Sequence, residues 1–266
     1  MPTDSPNRPD PTAAPAPLVV DLAAGRALTP VWQNPVIGSS TWRIDDTSAA
    51  ESGGDPVEYV KVGPPHWEFE VESDVARHRW LATHVPVPEV LSFGERDGLR
   101  FLHTRALPGR SAVSHDFPCG DEAIVRGLGQ ALRRFHDTVP VADCPNTWSA
   151  DERLARLPRS AIDADETLLV TPPLDDANRV VCHGDACNPN FLFDGDGTFT
   201  GYVDLGFVGV ADRWADLAPA ILSLGWNFGE DADLHAHRRD LFLDGYGIAL
   251  DHARLDHYTR LWNAGG

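Results

Sequence analysis

Asp185, Asn190 and Asp204 are the residues whose types and spacing could do group-transfer chemistry. They lie in Val181-Cys182-His183-Gly184-Asp185-Ala186-Cys187-Asn188-Pro189-Asn190 and in the downstream Tyr202-Val203-Asp204-Leu205-Gly206. Between them, Asp194-Gly195-Asp196-Gly197 is turn-forming and is flanked by two short strand-like runs, so a hairpin would bring Asn190 and Asp204 back towards each other. Phosphoryl transfer needs a carboxylate that orients an attacking hydroxyl and accepts its proton. It also needs oxygen ligands that hold Mg²⁺ against nucleotide phosphates. Ordinary turn chemistry also favours Asp and Asn, but it does not require His-Gly-Asp, an Asn five positions on and a further Asp after the turn.

The elements that must position these groups fall into two parts. Thr41 to Ile44 and Val57 to Val62 have strand composition and are separated by Ser52-Gly53-Gly54-Asp55, which predicts a hairpin. Val71, Val75, Ala76 and Trp80 recur at helical spacing within Glu68 to Thr83, closed by Pro86 and Pro88. Val90 to Phe93 and Leu99 to Thr104 flank Asp97-Gly98, a second hairpin signal. After Leu107-Pro108-Gly109 the pattern turns helical, with Ile124, Leu128, Ala131, Leu132 and Phe135 on one face of Asp121 to Thr138. Trp214, Leu217, Ala218, Ile221 and Leu222 suggest a later helix, as do Leu255, Tyr258, Leu261 and Trp262. The fold class is therefore α+β. Residues 1–17, with six prolines, read as a disordered tail, 18–106 as a β-rich N-terminal lobe and 107–266 as a mainly helical C-terminal lobe.

Composition narrows the partners. Twenty-two basic against forty acidic residues give a formal charge of -18, a field that disfavours nucleic acid and anionic membranes and favours a cationic small molecule. No run suits a membrane span or a secretory signal, and four cysteines without a CxxC pair suit a reduced, cytoplasmic protein. Cys182, His183 and Cys187 lack the fourth ligand of an ordinary zinc site, and no Gly-x-Ser-x-Gly elbow occurs. Val36-Ile37-Gly38-Ser39-Ser40-Thr41 fits a nucleotide loop in which Ser39 and Ser40 approach phosphate, although the Gly-Lys-Ser/Thr ending of a Walker loop is absent.

Cys182-His183-Gly184-Asp185 with Asn190, and Gly201 to Gly206 continuing through Gly209-Val210-Ala211-Asp212-Arg213-Trp214-Ala215-Asp216-Leu217, resemble the aminoglycoside phosphotransferase family, closest to the aminoglycoside 3'-phosphotransferases. Weaker similarity runs from Trp32 to Trp262. The resemblance implies a bilobal protein-kinase-like fold using ATP, with GTP as the alternative, and Mg²⁺. It implies Asp185 as catalytic base, His183 as support of its loop, Asn190 and Asp204 as metal ligands, and Asp212 and Asp216 as braces. It further implies Lys61 as the phosphate-binding lysine, Tyr59 against adenine, and Thr104-Arg105-Ala106 as a linker that hydrogen-bonds adenine through its backbone. Asp74 would be the carboxylate partner of Lys61, where the family has Glu, with Glu70 one turn earlier as the alternative.

The acceptor side departs from the family. The chain ends Leu261-Trp262-Asn263-Ala264-Gly265-Gly266 where those enzymes carry acidic residues and an aromatic, Gly225-Trp226-Asn227 replaces an acidic stretch, and Phe207 stands where the family has arginine. Asp163, Asp165 and Glu166 still offer a carboxylate cluster, and Trp226, Trp262 and Phe207 a stacking surface for a flatter acceptor. The expectation is a cytoplasmic antibiotic O-phosphotransferase, monomeric or weakly dimeric, acting on an aminoglycoside. The alternatives are a same-fold kinase of a nucleoside-type antibiotic or other metabolite, and a non-catalytic pseudokinase.

Overall fold

The computed structural model describes residues 9–10, 12–45, 57–229 and 231–265. The chain divides into two compact units, Met1–Leu107 and Pro108–Gly266.

In the first unit, α1 (Pro17–Ala23) precedes β1 (Ala27–Asn34), β2 (Ser39–Asp45), β3 (Glu58–Gly63), α2 (Val71–Leu81), β4 (Glu89–Arg96) and β5 (Leu99–Arg105). The strands form one antiparallel sheet in the order β1-β2-β3-β5-β4. Side chains alternate across it, as a pleat requires. Trp42, Ile44, Val60, Val62 and Phe101 share a buried face with Leu18 and Val19 of α1. Phe69, Val71, Val75 and Leu102 form a second cluster that includes the start of α2.

Three expectations need correction here. Pro17, counted with the tail, is the first residue of α1, where proline's fixed φ and missing N–H cost nothing. Helix α2 is shorter than Glu68 to Thr83, and it does not bury Ala76. Its buried residues are Val71, Asp74, Val75, His78 and Leu81, so two polar side chains lie on the face that apolar spacing was expected to mark. Ser39 and Ser40 belong to β2, and the connection before them is the short turn at residues 35–38, with Gly38 at φ 70°. The Ser52–Asp55 turn lies outside the described residues.

The second unit contains β6 (Arg110–Ser111), α3 (Asp121–Thr138), α4 (Ala150–Leu154), α5 (Arg159–Ala164), β7 (Arg179–Cys182), β8 (Phe191–Phe193), β9 (Phe199–Tyr202) and β10 (Gly209–Asp212). Helices α6 (Trp214–Phe228), α7 (Ala232–Tyr246) and α8 (His252–Gly265) complete it. Helix α3 spans the predicted residues and buries Ile124, Leu128, Ala131, Leu132 and Phe135. It packs on α7 at backbone contact: a Cβ on Gly129 would lie 2.1 Å from the Phe242 carbonyl oxygen, so only glycine fits there. Strands β7 and β10 pair antiparallel, as do β6, β8 and β9. Among the described residues no helix is long and apolar enough to cross a membrane.

Candidate active site

The Asp185 loop leaves β7 at Cys182 and ends in a single 3₁₀ turn, Asn188–Asn190, that enters β8. The Asn190 side-chain amide donates to the Asp185 carbonyl (3.0 Å), which orients Asn190 from within the loop. The Cys187 N–H donates to Asp185 Oδ1 (3.4 Å). After the β8–β9 hairpin, the Val203 N–H donates to the Asn190 carbonyl (3.0 Å). The hairpin thus ties Asn190 to the strand end that carries Asp204. The hairpin turn is closed by Asp194 Oδ1, which accepts from the N–H groups of Asp196 and Thr198 (3.0 and 2.8 Å).

Buried polar contacts hold this loop. Asp216 in α6 is fully buried, and its carboxylate accepts from the His183 N–H (2.6 Å), the Gly184 N–H (2.9 Å) and His136 Nε2 (3.0 Å). His136 Nδ1 lies 2.7 Å from Tyr246 Oη, so the imidazole can accept from the phenol and donate to the carboxylate. Burial pushes Asp216 up, yet the His136 hydrogen bond, the two histidines and the Gly184 N–H outweigh it and hold the carboxyl below the ordinary Asp value. Asn188 pins the far end: its N–H donates to Ser223 Oγ (2.9 Å) and its amide to the Ala220 carbonyl (3.0 Å). Gly184 adopts φ 88°, and a Cβ there would lie 2.2 Å from the Phe207 carbonyl oxygen, so the loop passes against the backbone that follows Asp204. Asp212, at the end of β10, accepts from the Trp214 N–H at the start of α6 (2.9 Å) and pairs with Arg254. Burial raises its carboxyl to about 6 despite these partners.

The donors suit a hard divalent cation. Asp204 is exposed and sits at φ 59°, a left-handed conformation uncommon for a side chain other than glycine. Burial first, and the Asp204 charge second, raise Asp185 above the ordinary Asp value, so the two carboxylates repel each other. The Asn190 amide oxygen and the Asp204 carboxylate, beside the Asp185 carboxylate that Asp204 raises, form the oxygen set that Mg²⁺ accepts. His183 is fully buried, and burial lowers its pKa below 6.5, keeping it neutral as a loop support. His136, Cys182 and Asp216 also bring potential ligand atoms within 4.8 Å of one another, but the imidazole and carboxylate are bonded to each other, and Asp216 also holds the loop.

In the first unit, Tyr59 and Lys61 lie on one face of β3, opposite Val60 and Val62. Asp74 is buried on α2, whereas Glu70 is half-exposed and held by Arg100 at 2.6 Å. Asp74 also receives Arg77 (3.2 Å). The Lys61 ammonium faces the rings of Trp32 (5.7 Å) and Phe69 (5.6 Å). Thr104 lies within β5, between Tyr59 of β3 and Val90 of β4, and the Ala106 N–H donates to the Val57 carbonyl (2.8 Å). Ser39 is buried against Gly63, and Ser40 Oγ accepts from the Trp42 indole (3.0 Å), so both hydroxyls lie in the sheet and not on a loop.

The residues expected to take the acceptor are dispersed or neutralised. Asp163 pairs with Arg159 (2.9 Å), Asp165 with Arg260 (3.2 Å), and Glu166 is exposed. Phe207 stacks on Trp148 (4.8 Å, 17°); Trp226 is exposed on α6, and Trp262 lies over the Arg153 guanidinium (5.6 Å). Arg153 also faces Trp148 (5.8 Å) and is buried. Sequence reasoning missed Trp148 and Arg153. The Ser149-x-x-Glu152 capping box, formed in the structure, was the available signal for the short helix that carries Arg153.

The family model described as "phosphotransferase enzyme family" matches residues 41–258. An aminoglycoside 3'-phosphotransferase of Streptomyces fradiae is 33% identical over 232 residues, covering 77% of this chain and 85% of that protein. A streptomycin 3''-kinase of Streptomyces griseus is 32% identical over 247 residues, covering 80% and 89%. An aminoglycoside phosphotransferase of Streptomyces rimosus, solved with ADP and streptomycin, superposes with a TM-score of 0.69 at 26% identity, covering 94% of this chain and 97% of that one. The matched span contains Lys61, the Asp185 loop, Asp204 and the Asp216 brace, and with that coverage the chain belongs to the phosphotransferase enzyme family.

Proposed function

We propose that this protein transfers the γ-phosphoryl group of ATP to a hydroxyl of an aminoglycoside antibiotic, in the cytoplasm and as a monomer or weak dimer. The observation that carries this reading is the Asp185 loop itself: a base candidate, an amide oriented by that residue's own carbonyl, and a second carboxylate close enough to raise the first. Asp185 aligns the acceptor hydroxyl and receives its proton. Asn190 and Asp204 hold Mg²⁺, which supplies charge neutralisation at the phosphate oxygens. Lys61 binds nucleotide phosphates, with Asp74 as its carboxylate and Tyr59 against the base. Because little covalent chemistry falls to the protein, positioning and electrostatics supply most of the rate. The intact set argues against a pseudokinase.

A second reading, a kinase of a less cationic metabolite, is favoured by one feature: arginines neutralise Asp163 and Asp165, while Trp148, Phe207 and Arg153 lie beside the catalytic segments. Purified protein with Mg-ATP, and in parallel Mg-GTP, is incubated with streptomycin, spectinomycin, hygromycin B and a nucleoside antibiotic and read by mass spectrometry. Gain of one phosphoryl group on an aminoglycoside supports the first reading. Gain on the nucleoside alone overturns it in favour of the second.

A further inference from the structure

Lys61 is the one lysine in the sequence, beside twenty-one arginines. Its ammonium faces two aromatic rings, and the route by which one of them reaches it is unusual. Pro30 of β1 is opposite Trp42 of β2, but the next pair is Trp32 with Thr41, so Val31 is an extra residue, a β-bulge. In the unbroken register Val31 would oppose Thr41, and Trp32 would oppose Ser40, whose own partner on β3 is Val62. Trp32 would then share the face of Val62 and Trp42, which packs under α1. The bulge reverses that parity. It sets Trp32, Thr41 and Lys61 side by side across three strands, with the indole 5.7 Å from the Lys61 Nζ. Phe69, buried in the cluster beside α2, faces the same ammonium from 5.6 Å.

We propose that Trp32 is a positioning residue for Lys61: the bulge at Val31 turns its indole face onto the ammonium, so that Trp32 and Phe69 hold the charged side chain where it meets nucleotide phosphates. The inference rests on the reading of Lys61 as the phosphate-binding lysine. A lysine carries a flexible four-carbon stem, and a ring face restrains the charge without fixing the direction of its N–H bonds. Trp gives the strongest such contact, and at a half-exposed site one ring changes an equilibrium about two- to fivefold.

The single lysine makes the test specific. In protein grown with lysine ¹³C-labelled at the ε carbon, the ε protons of Lys61 give an NOE to the Trp32 indole and move downfield in Trp32→Leu. Binding is compared for Mg-ADP and adenosine. Trp32→Leu weakens ADP about two- to fivefold and leaves adenosine unchanged, while Trp32→Phe keeps most of the ADP affinity. Absence of the NOE in the wild-type protein overturns the proposal even where the Leu variant fails to fold. So does an equal loss for both ligands, or no loss for ADP. Lys61→Ala separates the two readings. If it leaves the ratio of ADP to adenosine affinity unchanged, the role of Lys61 itself falls; if it lowers that ratio and Trp32→Leu does not, the Trp32 inference alone falls.

Discussion

The Asp185 loop and the Lys61 strand, the two parts of the proposed site, are both charged and lined by aromatic residues, and their contacts differ in kind. The loop is fixed by directional hydrogen bonds to buried groups: Asp216 to two backbone N–H groups and His136, and Asn188 to Ser223 and Ala220. Lys61 sits on a regular strand against two ring faces. A base must meet one hydroxyl at one angle, and a network of buried polar partners has few alternative arrangements. A phosphate-binding cation needs its charge in the right place more than its N–H bonds in one direction, and ring faces add to that restraint.

The difference predicts unequal sensitivity to mutation. Asp216→Ala leaves the N–H groups of His183 and Gly184 and the His136 imidazole without their acceptor inside the core, and should cost about 3–5 kcal/mol in urea unfolding. A loss under about 1 kcal/mol would mean that the network does not hold the loop.

Acid should weaken the loop's side of the comparison first. His183 is buried with its pKa below 6.5, so as pH falls below about 6.5 the unfolded chain takes up the proton before the folded one does. The stability present above that range is therefore lost as pH falls through it, and the Tm drop between about pH 7 and pH 5 should be smaller in His183→Asn. Asp212, raised to about 6, takes up its proton in the folded state first and so works against this loss in both proteins, while the depressed Asp216 adds its own loss only at lower pH. An unchanged Tm slope in the variant would remove His183 from this account.

The smallest effect is expected at the Lys61 face. Glu70 is half-exposed and bonded to Arg100, so Glu70→Gln should change stability by less than about 1 kcal/mol and leave the affinity for ADP unchanged. Loss of ADP affinity in that variant would transfer the role of carboxylate partner from Asp74 to Glu70.

The same contrast explains what could be read from the residues. The Asp185 segment could be singled out in the sequence because its groups lie close together and their types are tied to one chemistry. Helix α3 was legible because five apolar side chains keep one helical face, and all five are buried. The inner face of α2 was not, since Asp74 and His78 occupy it, and polar residues turned inward by a site erase the apolar period. Trp32 was hidden for a different reason: one bulged residue reverses which face a strand residue takes, and a single sequence carries no mark of that register. On the acceptor side, the pairing of Asp165 with Arg260, ninety-five residues away, could not be read from the sequence, whereas that of Asp163 with Arg159 lies within one helix.

On the proposed function, Asp185 is the base, on a loop held by hydrogen bonds to Asp216 and Ser223. The most direct test is Asp185→Asn, with turnover measured on whichever acceptor the wild-type protein phosphorylates and ADP affinity measured alongside. A base at this position predicts a fall in kcat of about 10²–10⁴-fold with ADP affinity within about twofold of wild type. Turnover close to wild type, or a loss of ADP binding that matches the loss of turnover, would contradict it.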